Sequence, residues 1–216
     1  MSNLDLQEQE ELAALKAWWQ KWNNAIITGL SIVLFAFAAW NGWQWYQRSQ
    51  AGQAAGLYDA LQKAASEKDT KKTRDAAGTL IAEFPRTTYA ALGALVSAKV
   101  QFDAGELATA KTQLQWVVSN AGDTELQSIA RLRLANVLVD EKAYDEALKA
   151  IDGPLDREFA ALAAGLKADI LVAQGKKADA RAAYKAALEK SDPTKDAARR
   201  ERLQMKLDAL GEEGAS

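Results

Sequence analysis

The 216 residues contain no cysteine and no histidine, which excludes disulfides, thiolate metal sites, cysteine nucleophiles and the commonest general base and metal ligand. Nearly half of the chain is apolar, alanine is abundant and prolines number three, a mixture that favours helix and suits one moderate domain plus an appendage. Residues 48–216 carry 25 basic and 25 acidic side chains, so the basic excess that drives nucleic-acid binding is missing and no such partner is expected.

In chain order, residues 1–23 form a short leader in which Lys16 and Lys21 are outnumbered by Asp5, Glu8, Glu10 and Glu11. The 26 residues between Lys21 and Arg48 carry no charge. Its most apolar part, Ala25 to Trp45, would span about 31 Å as a helix, close to the hydrocarbon thickness of a bilayer. Six of the seven tryptophans flank it: Trp18, Trp19 and Trp22 on one side, Trp40, Trp43 and Trp45 on the other. Indole rings favour the headgroup level, so two belts around an aliphatic centre predict a transmembrane helix over residues 24–47, in contact with the lipid bilayer, rather than a core helix. The pattern Ala36-Phe37-Ala38 raises the alternative of a cleaved signal. The long acidic leader and the second aromatic belt favour an uncleaved anchor. Arg48 and Lys63 balance Lys16 and Lys21, so the positive-inside rule leaves orientation open.

Gly52 and Gly56 suggest a flexible juncture, after which residues 48–216 read as helical and repetitive. GELATAKTQLQWVV from Gly105, KAYDEALKAI from Lys142 and GKKADARAAYKAAL from Gly175 each place a turn residue before a helix with a recurring alanine. With a weaker copy in TRDAAGTLIAEFP, these alanines are Ala76, Ala110, Ala147 and Ala180, spaced 34, 37 and 33 residues apart. That is the period of tetratricopeptide (TPR) hairpins, in which a small residue lets two helices approach closely. Pro85 and Pro193 close the second helices of the first and last pairs, and Gly153-Pro154 stops the third early. The fold class expected is all-α: one N-terminal transmembrane helix, then a TPR-like solenoid with DAARRERLQMKLDALG as its capping helix. A generic helical bundle is the alternative.

The first helix of each hairpin lines the inner wall of such a solenoid. The inward positions expected are Leu92, Leu95, Lys99 and Phe102, then Ile129, Leu132, Asn136 and Val139, then Leu162, Asp169 and Val172. This mainly apolar wall with one polar row could hold an amphipathic helix or an unfolded segment, or be filled by the capping helix. Trp116 is expected to pack between repeats. The carboxylate pairs Asp140-Glu141 and Asp145-Glu146 lie among lysines at a repeat turn and read as solvated. No phosphate loop, nucleophile elbow or ligand cluster is present in the sequence, so neither catalysis nor a cofactor is expected.

The acidic leader, WWQKWNNAII, GWQWYQ, AEFPRTTYAALGAL, KAYDEALKAID and DILVAQGKKADARAAYKAAL together resemble the YfgM-type ancillary subunits of the SecYEG translocon. The likeness covers nearly the whole chain. It implies a single-pass protein of the bacterial inner membrane with a cytoplasmic N-terminus and a periplasmic TPR-like domain. It also implies association with SecYEG and the membrane-bound chaperone PpiD, and a part in passing emerging polypeptides to periplasmic folding factors. Orientation is set by this resemblance alone, and it carries no catalytic residue over.

Overall fold

The computed structural model describes residues 6–211; Asp5 of the leader lies outside them. Nine α-helices and one short 3-10 turn occur among these residues, with no strand. The chain divides into two compact units, Met1–Ser49 and Gln50–Ser216.

Helix α1, Leu6–Ser66, supplies the whole described part of the first unit. From Ile27 to Tyr46 its large apolar side chains are exposed: Phe35 is 81% exposed, Trp45 73% and Ile32 64%. Polar groups inside the run bond to the helix itself. The Ser31 hydroxyl donates to the Ile27 carbonyl at 2.8 Å and the Asn41 amide to the Phe37 carbonyl at 2.9 Å. No single helix among the described residues is long and apolar enough to cross a membrane. The pair Glu10–Ala25 and Ile27–Ser66, meeting at a bend of 40°, passes that test together. The single spanning helix expected over residues 24–47 is therefore not confirmed in that form.

Gly52 and Gly56 are not a juncture. Both lie inside α1, where each glycine costs about 1 kcal/mol relative to alanine. Burial outweighs that cost, because Ala54 and Leu61 are fully buried with Leu80 of α2 (Thr70–Glu83) and Ala90 of α3 (Thr88–Asp103). Gly93 lets α3 come in close: a Cβ there would meet Leu80 Cδ1 at 2.6 Å.

The remaining helices form antiparallel hairpins, α3 with α4 (Leu107–Asn120), α5 (Thr124–Asp140) with α6 (Tyr144–Ile151), and α7 (Ala160–Ala173) with α8 (Lys177–Lys190). Helix α9, Ala197–Ala209, packs on the last of them. Each hairpin turn has one geometry. Lys68, Gly105, Lys142 and Gly175 all adopt positive φ, from 57° to 82°. At the second turn the Glu106 N–H reaches the Gln101 carbonyl at 2.8 Å and the Gly105 N–H reaches that of Phe102 at 2.9 Å. The same two bonds recur after Lys68, Lys142 and Gly175, so the last carbonyls of every first helix are satisfied in the same way. Lys68, unread in the sequence, is thus a fourth turn of the series. Helices α3 and α5 begin at side-chain caps, with Thr87 accepting from the Ala90 N–H and Asp123 from that of Glu125.

Ala110, Ala147 and Ala180 are fully buried, as the repeat requires. The first copy is shifted by one residue: Ala77, not Ala76, is the fully buried position, so the spacing becomes 33, 37 and 33. Pro85 follows the end of α2 and Pro193 that of α8, while α6 stops at Ile151 after eight residues, just before Gly153-Pro154. Three apolar clusters result: one on the first hairpin, a large one running from Ala91 to Ile170, and one joining α7, α8 and α9. Trp116 packs against both of the first two, where it was expected between repeats.

Candidate functional site

Two shallow hollows lie along α3, α5 and α7 among the described residues. The first, about 190 Å³, is bounded by Lys99 and Phe102 of α3 and by Arg133 and Asn136 of α5. The second, about 260 Å³, lies among Leu132 and Asn136 of α5, Leu162 and Asp169 of α7, and α9. Asn136 borders both. Each hollow accommodates a side chain or two, not a small-molecule ligand.

Asp169 aside, the expected wall residues fall into three groups. Lys99, Asn136, Leu162 and Val172 are exposed. Leu92, Phe102, Ile129, Leu132 and Val139 are half-buried, each resting on the large cluster. Leu95 is different: it is 5% exposed within that cluster, and only its carbonyl reaches outward, accepting from the Arg133 guanidinium at 3.2 Å. A position three residues after Leu92 turns towards the neighbouring helices instead of the wall.

The polar row is largely engaged within the chain. Lys99 pairs with Asp103 at 2.7 Å on its own helix. Asp169 accepts from the Tyr184 hydroxyl at 2.5 Å and holds Lys206 of α9 through both oxygens, at 2.7 and 2.8 Å. Burial, then the hydrogen bond to Asp169, pushes the Tyr184 phenol far above its ordinary range, so it remains a donor at any physiological pH. The carboxylates at the third turn are occupied too: Glu141 pairs with Lys111 at 2.6 Å and Asp145 accepts from Gln174 at 2.9 Å.

The sequence marks α9 as a cap that could fill the wall, but the basic edge that it adds was not read from it. Leu203 and Leu207 bury against Ala164, Ala168 and Tyr184, and Gly165 permits the approach, since a Cβ there would stand 3.2 Å from Leu203 Cδ2. The Arg200 guanidinium donates to the carbonyls of Leu188 and Ser191 at the end of α8. With Leu203 and Arg200 fixed in this way, Arg199, Arg202 and Lys206 border the second hollow. The i, i+3, i+7 spacing of these cations in RRERLQMK was the available signal.

A family model described as tetratricopeptide repeat-like domain matches residues 16–212, nearly all of the described chain. A Neisseria gonorrhoeae protein named ancillary SecYEG translocon subunit is 35% identical over 212 residues, covering 95% of this chain and 98% of its own. This chain belongs to the TPR-like family of ancillary SecYEG translocon subunits. An Escherichia coli family member of the same name is 32% identical over 203 residues, covering 94% and 96% of the two chains. One from Aggregatibacter actinomycetemcomitans is 29% identical over 185 residues, 85% of this chain and 90% of its own. The match to family members takes in both the tryptophan-rich run and the hairpins.

Proposed function

We propose that this protein is a membrane-anchored accessory subunit of the SecYEG translocon whose hairpin domain receives emerging polypeptides and passes them to periplasmic chaperones. The observation that carries the reading is the near full-length identity to relatives named ancillary SecYEG translocon subunit, tryptophan-rich run included. The exposure of that run supports the membrane part. A helix that is apolar on all sides over about the thickness of a bilayer suits an apolar solvent. In this reading residues 24–47 enter the inner membrane, residues 1–23 stay cytoplasmic and residues 48–216 are periplasmic, where the family resemblance puts PpiD as a further partner.

Tethering explains how shallow hollows can serve. A short linker raises the effective concentration of an attached site to roughly the millimolar range, so weak binding at the channel exit suffices. The test is site-specific crosslinking to a stalled translocating chain. Phe102→Asp with Leu132→Asp should weaken the crosslinks while SecYEG still co-isolates and helicity holds; unchanged crosslinking would remove the wall as the client site. Protease protection of the hairpin domain in spheroplasts tests the topology, since cleavage only after spheroplasting is expected of a periplasmic domain.

A second reading is favoured by the engaged polar row and by the small size of the hollows: an adaptor that joins envelope proteins without touching clients. Stable stoichiometric partners, with no retention of a denatured model protein, would select it.

A further inference from the structure

The hairpin domain is electrically balanced overall, but its charge is not evenly spread. Arg199, Arg202 and Lys206 stand on one stripe of α9 at the edge of the second hollow, against a single lining carboxylate, Asp169. Asp169 is already held by Lys206. Arg199 shares Asp196 at the start of its own helix, at 2.9 Å. Arg202 is exposed and makes no ion pair or hydrogen bond among the described residues. The rest of the lining is mainly apolar, with Leu132, Leu162 and Leu166 beside Asn136.

We propose that the second hollow is a docking site for acidic amphipathic segments, in which a leucine- or phenylalanine-sized side chain enters the hollow and a neighbouring aspartate or glutamate meets Arg202. This rests on the client-binding reading above and gives it a substrate class. Charge complementarity selects the occupant: a net positive rim in a neutral domain repels basic segments and attracts acidic ones. The apolar lining then requires an anchor beside the carboxylate. Guanidinium suits the task because it binds a carboxylate through two parallel N–H donors and is weakly hydrated. Such exposed pairs are individually weak and screened by salt, so the site selects among tethered segments without retaining them.

The experiment uses the full chain in detergent micelles. Fluorescence anisotropy reads the binding of a labelled peptide with one leucine anchor flanked by aspartates, against the same peptide with lysines. The acidic peptide should bind about tenfold more tightly at low salt, and the gap should close as salt rises through the physiological range. Arg202→Glu should weaken the acidic peptide about fivefold, and Arg202→Lys, which keeps the charge but loses the paired donors, should fall between the two. Equal binding of both peptides, or an unchanged affinity in Arg202→Glu, overturns the site while leaving client binding intact. Binding of neither peptide overturns both this site and the client reading, and leaves the adaptor. Self-association that Arg202→Glu abolishes would assign the hollow to a second copy of the chain and overturn the proposal.

Discussion

The two units of this chain treat the same kind of side chain in opposite ways. From Ile27 to Tyr46 the large apolar groups are at least half exposed, whereas Leu61, Leu80 and Ile170 of the hairpins are fully buried. Size matters in one and hardly in the other. The hairpin interior is close-packed, so Ala77, Ala110, Ala147 and Ala180 must stay small. In the membrane-anchored reading proposed above, the tryptophan-rich run needs only to remain apolar, because a lipid solvent adapts to shape but not to charge. In that reading, an anchor differs from a core helix in whether its neighbours have fixed positions.

Four experiments test this contrast. The largest effect is expected from charge in the run. Val33→Arg with Phe35→Arg, at about 2.5–3.5 kcal/mol each, should release the protein from the membrane fraction on carbonate extraction. Retention in the pellet would show that the run is not what holds the chain. Next comes size: Ala110→Leu should destabilise the hairpin domain by about 2–3 kcal/mol in a urea titration, while Ala36→Leu leaves it unaltered. Equal effects would erase the distinction. Third, Lys142→Gly should stabilise by about 1 kcal/mol, since a lysine at φ 59° adopts a conformation that glycine takes without strain. Last is acidification. Asp192 is held at about 2 by the Thr194 hydroxyl first and then by the backbone N–H groups of Lys195 and Thr194. Its folded pKa lies below the unfolded value, so its contribution is full above the ordinary carboxylate range and fades as pH falls towards 2. A small drop in melting temperature over that interval, absent in Asp192→Asn, is the expected record.

Much of the hairpin fold could be read from the sequence, because its turns are written in residues with few conformational options. Gly105 and Gly175 mark left-handed turns and Pro85 and Pro193 mark stops. Where an ordinary residue takes the special conformation, the signal fades, which is why Lys68 escaped notice. In a run such as Ala76-Ala77 either residue suits the pattern, and only packing chooses between them. The wall was less legible. The positions from Leu92 to Val172 follow from one common stripe on every first helix, but Leu95 turns into the core. The contribution of α9 depends on contacts made far along the chain, at Gly165 and Tyr184, and local periodicity carries no record of those.

The brevity of α6 has a consequence for how the domain comes apart. Where α4 and α8 each run for fourteen residues, α6 offers eight, so the last hairpin has a smaller seam with the one before it. Its own cluster, shared with α9, lets α7 to α9 detach together as a cooperative block. Native-state hydrogen exchange should find the amides of α8 trading with solvent sooner than those of α4, the solenoid loosening from its free end while the hairpins nearest α1 stay shut.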